Sequence, residues 1–434
     1  MGISSLGRYK NKAVIGEADI KHEGRKVFIL CWLAYACAYL CRVNMSIAIP
    51  SISQSLGYSK TSLGLVGSSF FWAYGIGQLI NGYIGDRISG RIFIFFGLLV
   101  SALINIFFGL APTLVVMVIL WMFNGYFQSM LWGPIVRILS RWFHREENTR
   151  VSVGISTSMV GGFLISWGLL GQVLSNARWS WIFLVPGIIV AIYGFIWILL
   201  IRPEPFQHDY AELSPEISNT GTHEDSRDDA GGKRGTSFIG FIMENRLWII
   251  AISCVTQGIV KEGITLWGPS YLMETQGLDL GSTTTYVLLI PLMNFGGIFL
   301  SGWLNKKFRY NHDLAIMTLL SGSALAILGL FLLGRYSVLL GVILLGSCSA
   351  CMYGANTLLM SVIPMGYAKI NKTSAVAGFL NFSNYMGAGM SGVVTGAMSD
   401  YWGWNGILAI WIFSTLLGAS VLWIRRISKG PNIG

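Results

Sequence analysis

Long apolar stretches separated by short polar turns recur twelve times along the chain. They run over 27–49, 62–84, 92–111, 113–136, 151–173 and 180–201, then 246–271, 282–304, 312–333, 337–363, 373–397 and 404–425. A helix crossing a hydrocarbon core of about 30 Å needs ~20 residues, so each stretch predicts one membrane-spanning helix. Between the two sets of six lies 202–245, whose segment PEISNTGTHEDSRDDAGGKRG is rich in Ser, Asp, Glu and Gly and has no apolar period. Such a composition predicts a solvated linker. The pattern therefore predicts an all-α membrane protein with twelve transmembrane helices in two six-helix bundles. The N-terminal bundle and its tail occupy 1–201, the linker 202–245 and the C-terminal bundle 246–434.

Composition agrees: 53% of the 434 residues are hydrophobic and only 12% are charged, about half the charged share of a soluble domain. The net charge of +10 would suggest nucleic acid in a soluble protein, but here the cations distribute by side. With the N-terminus in the cytoplasm, Lys60, Arg178 and Arg335 fall outside and Arg42 and Lys261 within helices, leaving 25 of the 30 Lys and Arg inside. The positive-inside rule supports that orientation, with both termini cytoplasmic, and nucleic-acid binding loses its motivation. The polar first 26 residues, carrying Lys10, Lys12, Lys21, Arg25 and Lys26, precede an apolar run too long for a signal peptide, so that run reads as a retained first helix. All six cysteines lie in apolar runs, which argues for core packing over disulfides or zinc.

The halves look related. GYIGDRISGR at 82–91 and GWLNKKFRY at 302–310 lie 220 residues apart, and Arg42 and Lys261 lie 219 apart. Near-equal offsets suggest two parallel repeats with a substrate site near the midplane between them. Only Arg42, Lys261 and Glu262 are charged deep within the apolar segments. A cation at a helix centre costs roughly 2.5–3.5 kcal/mol on insertion scales, so two of them imply a compensating role, for which an anion site is the functional reading. Pairing with Glu262 is the structural alternative, against which stands the divergence of adjacent helix positions by about 100°. Tyr35, Tyr39 and Arg42, at i, i+4 and i+7, share one face. A guanidinium fork with a compact ammonium suits a divalent anion. No histidine lies deep within a span, His312 standing at the cytoplasmic end of one; no Walker A loop is present and no nucleophile with its base is recognisable, so neither an ATP-driven pump nor an enzyme is expected, and no metal or cofactor.

GYIGDRISGR resembles the loop motif of the major facilitator superfamily, Gly-x-x-x-Asp-Arg followed by Gly and Arg. The resemblance implies that fold, and implies that Asp86 and Arg87 help lock one of two alternating states. The second copy lacks the Asp and carries Asn305 and Lys306 instead, so the resemblance implies a weaker latch in the C-terminal half. Five segments are similar to the organophosphate:phosphate antiporter family, which includes glycerol-phosphate and hexose-phosphate transporters and a sugar-phosphate sensor. They are YACAYLCRVNMSIAIP at 35–50, SKTSLGLVGSSFFWAYGIGQLINGYIGDR at 59–87, GYFQSMLWGPIVRILSRWF at 125–143, LWIIAISCVTQGIVKEGITLWGPSYL at 247–272 and SAVAGFLNFSNYMGAG at 374–389.

That likeness implies that Arg42 and Lys261 bind a substrate phosphate, and that Tyr35, Tyr39, Tyr353 and Tyr385 line the cavity with Gln128 and Trp132. Asn124, Gln128 and Trp132 share a face by their i, i+4 spacing. Gln78 and Met159 stand where the glycerol-phosphate type carries a lysine and a histidine, so the organic moiety stays open. The implied function is exchange of a phosphate ester for inorganic phosphate by alternating access. The protein would be a monomer in the cell inner membrane, with the lipid bilayer and small anionic solutes as its partners. Proton-coupled transport of another organic anion through Glu262, or a sensor that binds a sugar phosphate without moving it, remain alternatives.

Overall fold

The computed structural model describes residues 17–85, 88–111, 113–143, 148–171, 177–202, 238–367 and 373–428. Most of the expected linker, and both Asp86 and Arg87, lie outside the described residues. Among the described residues, ten helices are long and apolar enough to cross a membrane. In chain order the crossings are α1 (Glu17–Leu56), α2 (Lys60–Gly85), α3 (Gly90–Gly109) and α4 (Leu114–Leu139). They continue with α5 (Asn148–Phe163, extended by a π-helical segment Leu164–Leu170), α6 (Trp181–Leu200), α7 (Leu247–Gln276) and α8 (Leu280–Lys307). Then come α9 (His312–Leu333), α10 (Val338–Val362) and the element Thr373–Ser428. That last element has 56 residues, which as one straight helix is about 84 Å, far more than a bilayer. It folds back at Gly403, whose φ of +65° is a backbone conformation open to glycine at little cost. Its two limbs are α11 (373–402) and α12 (404–428), and with α5 they bring the crossings to twelve.

The helices pack by the same scheme in each half. In the first, α2 lies on α4, α3 on α4 and α6, and α1 on α5 and α6; in the second, α8 lies on α10, α9 on α10 and α12, and α7 on α11 and α12. Each pairing recurs six helices on, which makes two pseudo-symmetric bundles. Among the described residues the most extensive contacts between them are α1 with α7, α2 with α11 and α5 with α8. The start of α1 and the ends of α4 and α6 share one face, where Trp142 Nε1 donates to Arg202 O at 3.0 Å. Glu23 there accepts from Lys26 at 2.6 Å. On the same side Arg425, near the end of α12, bonds Asp313 at the start of α9 at 2.5 Å. This is the termini-side face.

Apolar lipid offers helices no solvent-driven reason to associate, so close approach of small residues carries the packing. Gly297 of α8 is the clearest case: a Cβ there collides with the backbone carbonyl of Ala350 on α10, whereas its neighbour Gly296 has nothing within 4 Å. Gly297→Ala is expected to destabilise the protein by about 1–3 kcal/mol through overpacking, with Gly296→Ala unaffected. Thermal unfolding of the two variants in detergent checks the contrast; equal melting temperatures would refute this packing.

Candidate functional site

Between the bundles lies a cavity of about 590 Å³. Its walls are drawn from the middle of α1, α5 and α7 and from the termini-side parts of α2, α4, α8, α10 and α11. Of the residues singled out in the sequence, Tyr35, Tyr39, Arg42, Trp132, Lys261, Glu262, Tyr353 and Tyr385 all line it. Residues 219 positions apart are thus brought to one chamber.

Arg42 is clasped by aromatic rings. Its guanidinium carbon sits 4.6 Å from the Tyr74 ring centroid, 5.2 Å from Phe70 and 5.3 Å from Tyr39. Nη2 donates to the Tyr385 hydroxyl at 3.4 Å. Among the described residues no carboxylate pairs with it, and ring faces return only about 0.5–2 kcal/mol each to a cation. The wall therefore presents a guanidinium with hydrogen-bonding capacity to spare. Phe70 and Tyr74 were missed in the sequence; their i, i+4 spacing in SSFFWAYG places them on one face of α2, but nothing in that pattern says the face meets Arg42.

Lys261 behaves otherwise. Its Nζ lies 2.8 Å from Glu262 Oε1 and 5.2 Å from the Tyr353 ring centroid. The expectation that adjacent helix positions diverge too far to pair is corrected here. The Cβ vectors do diverge, but a four-carbon stem and a two-carbon stem are long enough to bring their tips together.

Gln128 is placed differently from the sequence expectation, since it is not on the cavity wall. It is 3% exposed and donates to the carbonyl of Cys41, next to Arg42, at 3.1 Å. Asn124 donates to the same carbonyl at 2.8 Å and accepts from Ser101 Oγ at 2.6 Å. Asn44 and Asn105 extend the network at 2.9 Å. These groups tie α1 to α3 and α4 directly behind Arg42. The i, i+4 pairing on α4 was legible; that its polar face turns to α1 rather than to the cavity depends on how the helices pack. Asp86 and Arg87 lie outside the described residues.

Beyond the midplane, away from the termini, the two halves close on each other. At α2 and α11, Gly64 and Gly392 approach so closely that a Cβ on either meets the other's backbone. The Val393 amide donates to Ser68 Oγ at 3.0 Å. At the rim, Lys60 Nζ pairs with Glu274 at the end of α7 at 2.5 Å, and Trp404 Nε1 donates to the same carboxylate at 2.9 Å. Asp400, at the end of α11, accepts from the Thr61 amide at 2.8 Å and hydroxyl at 2.6 Å. A carboxylate from one half thus caps the first turn of a helix in the other. A second seam, α5 against α8, is closed by Gly168 and Gly171 under Leu288 and Thr284.

Residues 31–390 match the Major Facilitator Superfamily. The chain belongs to that superfamily. Among its curated relatives is a glycerol-3-phosphate transporter of Bacillus subtilis, 29% identical over 410 residues, covering 92% of each chain. Another is a probable hexose phosphate transport protein of Chlamydia trachomatis, 28% identical over 421 residues, covering 92% of this chain and 90% of the other. Among solved structures, a bacterial homolog to the human lysosomal transporter Spinster, in inward-facing and occupied conformation, superposes with a TM-score of 0.72. At 14% identity over 93% of this chain and 96% of that one, it speaks for the fold alone. In this superfamily member, then, a cation-bearing cavity is sealed on one side.

Removing the interdomain cap should loosen that seal. Asp400→Ala loses a cap worth typically about 1 kcal/mol, a several-fold shift in a two-state equilibrium. In a Ser46→Cys background, an impermeant thiol reagent applied to the side away from the termini is expected to label the cavity several-fold faster in Asp400→Ala. Unchanged labelling would show that Asp400 does not hold the seam.

Proposed function

We propose that this protein is a secondary transporter of organic phosphate esters, exchanging them for inorganic phosphate across the cell inner membrane. The observation that carries this reading is the pair of cations, Arg42 and Lys261, on the wall of one cavity, with no carboxylate among the described residues paired to Arg42. A phosphoryl group offers three oxygens to a guanidinium fork and an ammonium, the geometry that such donors suit. The names of the relatives point the same way. The organic moiety faces aromatic rings, with the Tyr35 and Trp132 centroids 4.8 Å apart, and the carboxamides of Gln78, Asn356, Asn381 and Asn384. Rings and carboxamides together favour a polyhydroxylated group such as a sugar.

The cycle we infer is alternating access. The N-terminal half, 1–201, and the C-terminal half, 246–434, rock about the cavity while 202–245 tethers them. With both termini cytoplasmic, as the cation distribution favours, the conformation described above faces inward. Lys261 is paired with Glu262, so the uncompensated charge of the empty site is Arg42, which closure would bury; a bound anion offsets it and lowers the barrier to closing over it. An empty site resists that closure, which makes the device an exchanger. Asp86 and Arg87 would latch the cytoplasmic ends in the opposite state.

Labelled phosphate trapped in proteoliposomes should exit when sugar phosphates, glycerol phosphate or phosphoglycerates are added outside, and not when buffer alone is added. Arg42→Lys keeps charge but loses the fork, and exchange is expected to fall roughly tenfold or more, as loss of a charge-assisted bond implies, with normal membrane insertion. Undiminished exchange in that variant would refute the site. Saturable binding with no flux in the wild type would instead favour a sensor.

A further inference from the structure

Among the described residues the charged side chains on the cavity wall are Arg42, Lys261 and Glu262, two positive and one negative. Lys261 is 7% and Glu262 5% exposed, and their 2.8 Å contact leaves neither charge uncompensated while the site is empty. A phosphate dianion entering this wall raises the local sum to one net negative charge in a medium that penalises it. It also needs the ammonium that Glu262 already holds. One proton resolves both difficulties.

We propose that Glu262 is the resident counter-anion of Lys261, displaced by the incoming phosphoryl group and protonated as it leaves, so that each phosphate dianion enters with one proton. The inference rests on the phosphate-ester reading above. The proton comes from the solvent that fills the open cavity and adds to a carboxylate oxygen; no other bond is made or broken. A carboxylate cut off from its ammonium and enclosed in a helical bundle is a buried charge without a partner. The groups facing it are Lys261 on its own helix, Arg42, Tyr35 and Tyr39 on α1, Tyr74 on α2, Tyr353 on α10 and Tyr385 on α11. From α8 the wall receives only Phe295, Ile298 and Phe299. Once the dianion has occupied Arg42 and Lys261, no further cation among the described residues of the wall remains to pair with Glu262.

The consequence is a coupling between pH and affinity that a two-cation site lacks. Binding of inorganic phosphate to the full-length protein in nanodiscs, followed by calorimetry at about pH 8 in buffers of different ionisation enthalpy, measures protons taken up per anion bound. The wild type is expected to take up about one proton per phosphate, and its affinity to decline by up to about tenfold per pH unit in this range. Glu262→Gln is expected to take up almost none, to lose that decline, and to bind phosphate at least about tenfold more tightly at this pH. Glu262→Asp, which keeps a titratable carboxyl, should retain the uptake.

Wild-type binding without proton uptake overturns the proposal, as does undiminished uptake in Glu262→Gln. Should Glu262→Gln fail to fold, the wild-type stoichiometry and Glu262→Asp decide. Failure of the wild type to bind phosphate or its esters at all would sink the phosphate-ester reading along with this one, whereas binding and exchange without proton uptake would leave that reading standing and remove only this inference.

Discussion

A guanidinium at the middle of an apolar helical bundle must be compensated, and most of what surrounds Arg42 answers that demand. Three rings lie within 5.3 Å of its guanidinium carbon and a tyrosine hydroxyl accepts from it across the interface between the halves. Behind it, the Cys41 carbonyl is held by Asn124 and Gln128, which fixes the helix that carries the cation. None of these partners is anionic, so charge compensation is left incomplete. In the functional reading proposed above, the substrate completes it.

Glu262 treats the second cation differently, and the asymmetry between the halves is informative. The N-terminal half supplies a delocalised fork open to a ligand, while the C-terminal half supplies a point charge already paired within one turn of helix. Equivalent positions in two repeats have been given different electrostatics. An anion meeting this wall finds one ready donor set and one that must first be released.

Closure on the side away from the termini rests on contacts of two physical kinds. Gly64 against Gly392 is a backbone approach that tolerates no added atom. The rim is polar, with Asp400 capping α2 and Lys60 bonded to Glu274, groups that lie at the end of the crossings where water competes for them. A seam of tight backbone contact under a rim of exchangeable hydrogen bonds holds firmly yet parts without leaving buried polar groups stranded, because each rim group has water as an alternative partner.

How much of this was legible in the sequence follows from the range of the interactions. Stretches of apolar residues specify crossings because the bilayer imposes a length, so the six-and-six division and the helical fold were readable from hydropathy alone. The few deep charges stood out for the same reason: in hydrocarbon each must be explained, and Arg42, Lys261, Tyr35 and Tyr39 all reach the cavity that the pattern predicted. What the sequence could not supply was direction around each helix and reach across it. Gln128 faces α1 and not the cavity, Tyr74 and Phe70 clasp Arg42, and Lys261 bends onto Glu262. These outcomes depend on which helices pack together and on how far flexible side chains extend, and only the tertiary structure sets both.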